Sequence, residues 1–133
     1  MAIVYSKVLE LQNTKKVGTK ECVALVQHFA PAVGPSSGWK EGEAVFGNKD
    51  IAAGTAIATF VNGRYPSLKH GNHAAFFLSQ AVDGFWVMDQ WRDDAKKPLI
   101  SKRLIRTKGK TPLANGTWPQ GGDNAYAYSI IEK

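Results

Sequence analysis

The chain has little sulfur. Among its 133 residues there is one cysteine, Cys22. A single cysteine excludes an internal disulfide and a multi-cysteine zinc site, so packing alone must hold the fold. Long apolar runs are missing too. No stretch approaches the ~18 residues that span a bilayer, so membrane insertion is not expected. The start, Met1-Ala2-Ile3-Val4-Tyr5-Ser6-Lys7, lacks a basic segment followed by a sustained apolar one, so no cleaved leader is expected. Acidic residues are in deficit, 11 against 17 Lys and Arg, which leaves a net charge of +6. The three histidines, His28, His70 and His73, show no metal-ligand spacing with acidic partners. No metal and no cofactor is therefore expected.

What is present reads as ordinary globular composition, 44% hydrophobic and 21% charged, with no repeat or linker to divide the chain. One domain over residues 1–133 is expected. From Thr19 the pattern becomes helical, with Thr19 as the expected N-cap and Cys22, Leu25, Val26 and Phe29 at i, i+3, i+4 and i+7. Pro31 and Pro35 end it. Residues 39–54 carry no regular pattern. Thr55–Val61 reads as a strand closed by the turn Asn62-Gly63, and His73–Ser79 and Phe85–Trp91 as two strands joined through Val82-Asp83-Gly84. Leu104-Ile105-Arg106 and Ala125–Ile131 are further strand candidates, separated by a loop rich in Gly and Pro. A helix followed by an antiparallel meander predicts an α+β fold.

Seven basic residues lie between Lys96 and Lys110: Lys96, Lys97, Lys102, Arg103, Arg106, Lys108 and Lys110. Such a cluster attracts polyanions, or simply forms a solvated face. We read it as tuning encounter with an anionic surface.

Cys22 and His73 carry the chemical signal. A thiol of ordinary pKa is barely ionised at neutral pH and needs activation to act as a nucleophile. At about the third position of a helix, Cys22 would feel the positive end of the helix dipole and the free N–H groups of the first turn, which can also donate to an oxyanion. By itself Cys22 also fits a small buried hydrophobe. His73, introduced by Gly71-Asn72 at a strand start, is placed to serve as its base, with His70 outside the strand as the lesser choice. The ring needs an orienting acceptor, and the hairpin returns Asp89 and Gln90 beside it. Alternation lets only one face the cleft. Asp89 is preferred because a carboxylate stabilises imidazolium better, with Gln90 as the alternative. Trp39 and Tyr65 are candidates to line a substrate groove.

These segments resemble the CHAP and NlpC-type cysteine amidase/peptidase superfamily, with its papain-like fold. The likeness rests on Glu21-Cys22-Val23-Ala24-Leu25-Val26, Gly71-Asn72-His73-Ala74-Ala75-Phe76 and Val87-Met88-Asp89-Gln90-Trp91. Trp39-Lys40-Glu41-Gly42 and residues 51–60 are similar to small amidase effectors of bacterial type VI secretion. One departure is Asn72-His73-Ala74-Ala75 where many relatives have Gly-His-Val-Ala. The resemblance implies cleavage of amide bonds in peptidoglycan stem peptides through Cys22, His73 and Asp89. It also implies synthesis in a bacterial cytoplasm without a leader, delivery by secretion machinery to the periplasm of a target cell, and a cognate immunity protein. Two other readings stand beside it. A papain-like hydrolase could act on another amide. A basic module could bind the wall or nucleic acid, with Trp86, Trp91 and Trp118 as stacking residues. The chain carries no recognised nucleic-acid signature, and the binding reading leaves Cys22 and His73 unused, so no nucleic-acid partner is expected.

Overall fold

A computed structural model describes residues 2–68 and 70–132. Its one α-helix among them, α1, is Cys22–Phe29. The strands are β1 (Lys40–Ala44), β2 (Ala56–Thr59), β3 (Ala74–Ala81), β4 (Gly84–Asp89), β5 (Ser101–Arg106) and β6 (Tyr128–Glu132). They form one antiparallel sheet in the order β1-β6-β2-β3-β4-β5. The architecture is α+β and papain-like, a helix carrying the cysteine packed on an antiparallel sheet.

Both faces of the sheet are covered, so β3 and β4 read as nearly unbroken apolar runs rather than as clean alternation. One face buries Ala74, Phe76 and Met88 against Leu25 and Val26 of α1, with Trp39, Phe60 and Ile131. The other buries Ala75, Phe77, Phe85 and Val87 with Ile105 and Tyr128, under Phe46, Ile51 and Trp118 from the loops.

The turns follow their residue chemistry. Asn62 and Gly63 take positive φ, 51° and 82°, and Val61 and Arg64 exchange backbone hydrogen bonds of 2.8 and 3.1 Å across them. That is the conformation for which Asn-Gly is selected. The β3–β4 turn is tighter than the sequence predicts. Ala81 pairs with Gly84, so Val82-Asp83 alone makes the turn and Gly84 belongs to the strand. A Cβ on Gly84 would lie 2.0 Å from the Ile105 carbonyl oxygen, so only glycine lets β5 approach there.

Three boundaries differ from the sequence reading. The stretch read as irregular contains β1, a polar edge strand paired with β6, whose Lys-Glu-Gly-Glu-Ala has no apolar alternation to announce it. Ala125–Ala127 is a 3₁₀ turn and β6 starts only at Tyr128. Buried Asn124 ends the Gly/Pro loop: its carbonyl accepts from Lys108 and Tyr126 N–H, and its amide donates to Gly109 and Pro119 carbonyls. Finally, α1 begins at Cys22 with Glu21 as N-cap and no side-chain cap, so Thr19 is not the cap.

Candidate active site

Gln90 anchors the segment that leads into α1, whose first-turn N–H groups have no side-chain cap. Its amide donates to the carbonyls of Val17 (3.1 Å) and Glu21 (2.8 Å) and its carbonyl accepts from Val17 N–H (3.0 Å). The chain from Val17 to Glu21 is thereby tied to the end of β4, which fixes where α1 starts and where Cys22 points. Cys22 is the first helical residue, not the third.

Alternation separates Gln90 from Asp89. Phe76 pairs with Met88, so continuing that register sets Asp89 opposite Ala75 and diagonal to His73 on the same face. Gln90 falls on the α1 side with Met88. His73 Nε2 lies 2.9 Å from Asp89 Oδ2, and both residues are buried. With Nε2 occupied, Nδ1 is the ring nitrogen left for Cys22, and thiol and imidazole are near enough for each to shift the other's titration. The Tyr65 hydroxyl is 3.8 Å from the Cys22 sulfur.

The electrostatics favour separated charge. Burial pushes the Cys22 thiol up, but the hydrogen bond and charge of His73, the Ala74 N–H and the Tyr65 hydroxyl more than reverse this and leave it lowered. Burial also opposes charging of His73, yet the hydrogen bonds to Asp89 and Cys22 and their charges raise its pKa to about 9. Asp89 is held well below the usual carboxylate range: burial works against ionisation, while His73, Arg103 and Lys97 outweigh it. Tyr65 is pushed far up, by burial first and then by the Cys22 charge, so it remains a hydroxyl donor.

Two cations, neither singled out in the sequence, complete the cluster. Lys97 Nζ sits 2.7 Å from Asp89 Oδ1, and Arg103 Nε sits 2.8 Å from Oδ2. Lys97 is 4% exposed. The sequence reading groups both with the solvated surface charges, and the structure corrects this. Arg103 pairs opposite Val87, hence on the face of Asp89, a placement that only the β4–β5 register reveals. Lys97 lies in a loop without periodicity and gave no signal.

An open cleft of about 810 Å³ runs past His73, with Asn72, Trp91, Arg103, Trp118 and Asp123 on its walls. Trp39 is not among them. Its ring is buried, 2% exposed, with Nε1–H on the Gly34 carbonyl and its edge against Tyr65 at 5.1 Å between centroids. The groove role expected of Trp39 is therefore replaced by a core role. Tyr65 is at the site, but beside the sulfur and not on the groove wall; Asn72 Nδ2 donates to its oxygen at 3.0 Å. Among the described residues no group of three or more His, Cys, Asp or Glu is placed to hold a metal ion.

The family model described as domesticated amidase effector 2 matches residues 4–124. The chain is 53% identical over 134 positions to the type VI secretion amidase effector 2 protein of Salmonella typhi, covering 99% of this chain and all of that one. It is 39% identical over 117 positions to domesticated amidase effector 2 of Ixodes scapularis, covering 86% of this chain and 74% of that protein. Among solved structures, a type 6 secretion amidase effector 2 superposes with a TM-score of 0.92 at 53% identity, covering 97% of this chain and 93% of that one.

Proposed function

The chain belongs to the domesticated amidase effector 2 family, and from that premise we propose that it hydrolyses amide bonds of peptidoglycan stem peptides with Cys22 as nucleophile, His73 as acid and base, and Asp89 as the residue that orients the ring. It is an amidase effector of the type VI secretion kind. The observation that carries the cysteine mechanism is the buried His73–Asp89 contact of 2.9 Å, which leaves Nδ1 to face the Cys22 sulfur.

The reaction follows from that arrangement. The Cys22 thiolate attacks the amide carbon, and the carbonyl oxygen becomes an oxyanion. The free N–H groups opening α1 and the neutral Tyr65 hydroxyl are the donors at hand for it. His73 imidazolium passes its proton to the leaving nitrogen, the C–N bond breaks, and a thioester remains on Cys22. Neutral His73 then takes a proton from water, whose oxygen attacks the thioester. Collapse releases the carboxylate product and restores the thiolate–imidazolium pair. Asp89 stabilises each imidazolium state without itself changing protonation.

Action in the periplasm of a target cell, and a cognate immunity protein that occludes the cleft of the toxin in the producer, complete this reading. The basic-module alternative leaves a buried thiolate–imidazolium pair unused. Incubating the purified protein with peptidoglycan sacculi and weighing the released fragments by mass spectrometry tests the proposal. Release of fragments carrying one added water per cleaved amide is expected, and none from the Cys22→Ala protein. Intact sacculi with the native protein would overturn the substrate. Equal release by Cys22→Ala would overturn the nucleophile.

A further inference from the structure

Asp89 holds more cation than a catalytic carboxylate requires. Its Oδ2 receives His73 Nε2 at 2.9 Å and Arg103 Nε at 2.8 Å, while Lys97 Nζ is 2.7 Å from Oδ1. Arg103 Nη1 continues to Asp123 at 2.9 Å, and Lys97 Nζ donates to the Ser101 carbonyl at 3.2 Å. Both cations also lie over the ring of Trp91, at 4.8 Å for Lys97 Nζ and 5.2 Å for Arg103 Cζ. Trp91 in turn stands edge-on to His73, 6.2 Å between centroids.

A lysine this buried is rare unless paired, and breaking a buried pair is costly while forming one adds little net stability. Stability alone therefore gives weak reason for placing two cations on one carboxylate. Geometry gives a stronger one. The terminal torsion of an aspartate is broad and nearly two-fold, so a carboxylate with a single partner can rock or exchange its oxygens. Arg103 on one oxygen and Lys97 on the other remove that freedom. Charge gives a second reason. With Cys22 as thiolate, His73 as imidazolium and Asp89 ionised, the buried trio carries one net negative charge. Lys97 and Arg103 add two positive charges, and Asp123 balances Arg103 at the rim.

We propose that Lys97 and Arg103 are positioning residues for the hydrolysis, a clamp on the two Asp89 oxygens that fixes the orientation of the His73 ring and balances the charge of the thiolate–imidazolium pair. This rests on the Cys22–His73–Asp89 reading. Trp91 is the shared platform that keeps both cations in place.

The test uses the whole protein on a soluble muropeptide, with kcat, KM and the pH profile measured for Lys97→Met, Arg103→Gln, Arg103→Lys and the exposed control Lys102→Met. Lys97→Met and Arg103→Gln should lose about 10- to 100-fold in kcat, the scale of loss when the outer partner of a metal-ligating side chain is removed, with KM near wild type. Arg103→Lys should recover part of the loss, and Lys102→Met should match wild type. The charged and titratable groups facing His73 and Asp89 are Cys22 from α1, Tyr65 from the loop before β3, Arg103 from β5, Lys97, Tyr128 from β6, and Asp123 through Arg103. Removing a cation from this set favours protonated forms, so both limbs of the pH profile should move to higher pH. A merely structural clamp would lower the folded fraction and leave the limbs where they are, which would overturn the proposal. So would a raised KM with kcat intact, the mark of direct substrate contact by Arg103. Should Lys97→Met not fold, the partly exposed Arg103 decides through its own variants. Cys22→Ala is assayed alongside: turnover by that protein removes the cysteine reading itself, whereas a dead Cys22→Ala beside clamp variants of wild-type kcat and profile removes only the clamp.

Discussion

At the scale of single residues the proposed reactive state is a Cys22–His73 ion pair, and the two ionised groups on the ring and on Asp89 titrate in opposite senses. His73 is raised from 6.5 to about 9. The stability that its proton contributes is complete below 6.5 and is lost as pH rises through about 9. Asp89 is depressed, so its contribution is present above 3.8 and is lost as pH falls toward its lowered value. Activity should follow the same pair. Above about 9 the imidazolium proton needed by the leaving nitrogen is gone, and at low pH the thiolate is protonated. We expect a bell-shaped kcat/KM profile whose alkaline limb falls near 9; a rate that keeps climbing through pH 10 would show that free thiol ionisation controls it instead. Replacing Cys22 by Ala or Ser should abolish turnover, since serine has none of the acidity on which the pair depends. Labelling by iodoacetamide at pH 7 should be faster for native Cys22 than for Cys22 in a His73→Ala protein, and equal rates would contradict activation by the imidazole.

At the scale of elements, an eight-residue helix is too short to stand alone, and α1 lacks a side-chain cap. Gln90, just past β4, anchors the segment that enters the helix instead. Gln90→Ala removes three hydrogen bonds and leaves the half-buried Val17 N–H without its acceptor, while the Val17 and Glu21 carbonyls keep the N–H groups of Lys20 and Ala24; a loss of about 1–3 kcal/mol is expected for the unpaired donor. Urea unfolding should register that loss, and kcat should fall because Cys22 is no longer held at the end of the sheet. The alkaline limb should nevertheless stay near 9, as the partner of His73 is untouched. Movement of that limb in Gln90→Ala would make Gln90, and not Asp89, the group that orients the ring.

At the scale of the whole molecule, the cations of the 96–110 segment play two different parts. Lys97 and Arg103 are consumed by Asp89, whereas Lys102, Lys108 and Lys110 are exposed. The second group faces solvent and can attract an anionic wall at long range. Changing Lys102, Lys108 and Lys110 together to Gln should weaken binding to sacculi at low salt, with the difference shrinking above 0.1 M, where screening acts within ~10 Å. Turnover of a soluble muropeptide should not change. A loss on both substrates that persists in high salt would place one of these lysines on the substrate itself.

Features under the control of local chemistry were legible from the residues alone. Asn62-Gly63 marked a tight turn with positive φ, β3 and β4 declared themselves by apolar runs flanking a short turn, and a lone cysteine opening a helix with a histidine at a strand start marked the pair we propose to react. The sequence also narrowed the third member to Asp89 or Gln90, because strand neighbours face opposite ways. Tertiary structure decided the rest, since these features depend on partners far along the chain. The register of β3 on β4 set Asp89 diagonal to His73 and turned Gln90 toward Val17 and Glu21. β1 exists as a strand because β6 offers it an edge, not because Lys-Glu-Gly-Glu-Ala has a pattern. Trp39 went to the core, where its indole N–H found the Gly34 carbonyl. Lys97 and Arg103, indistinguishable by composition from the lysines around them, were drawn inside because one buried carboxylate was there to receive them.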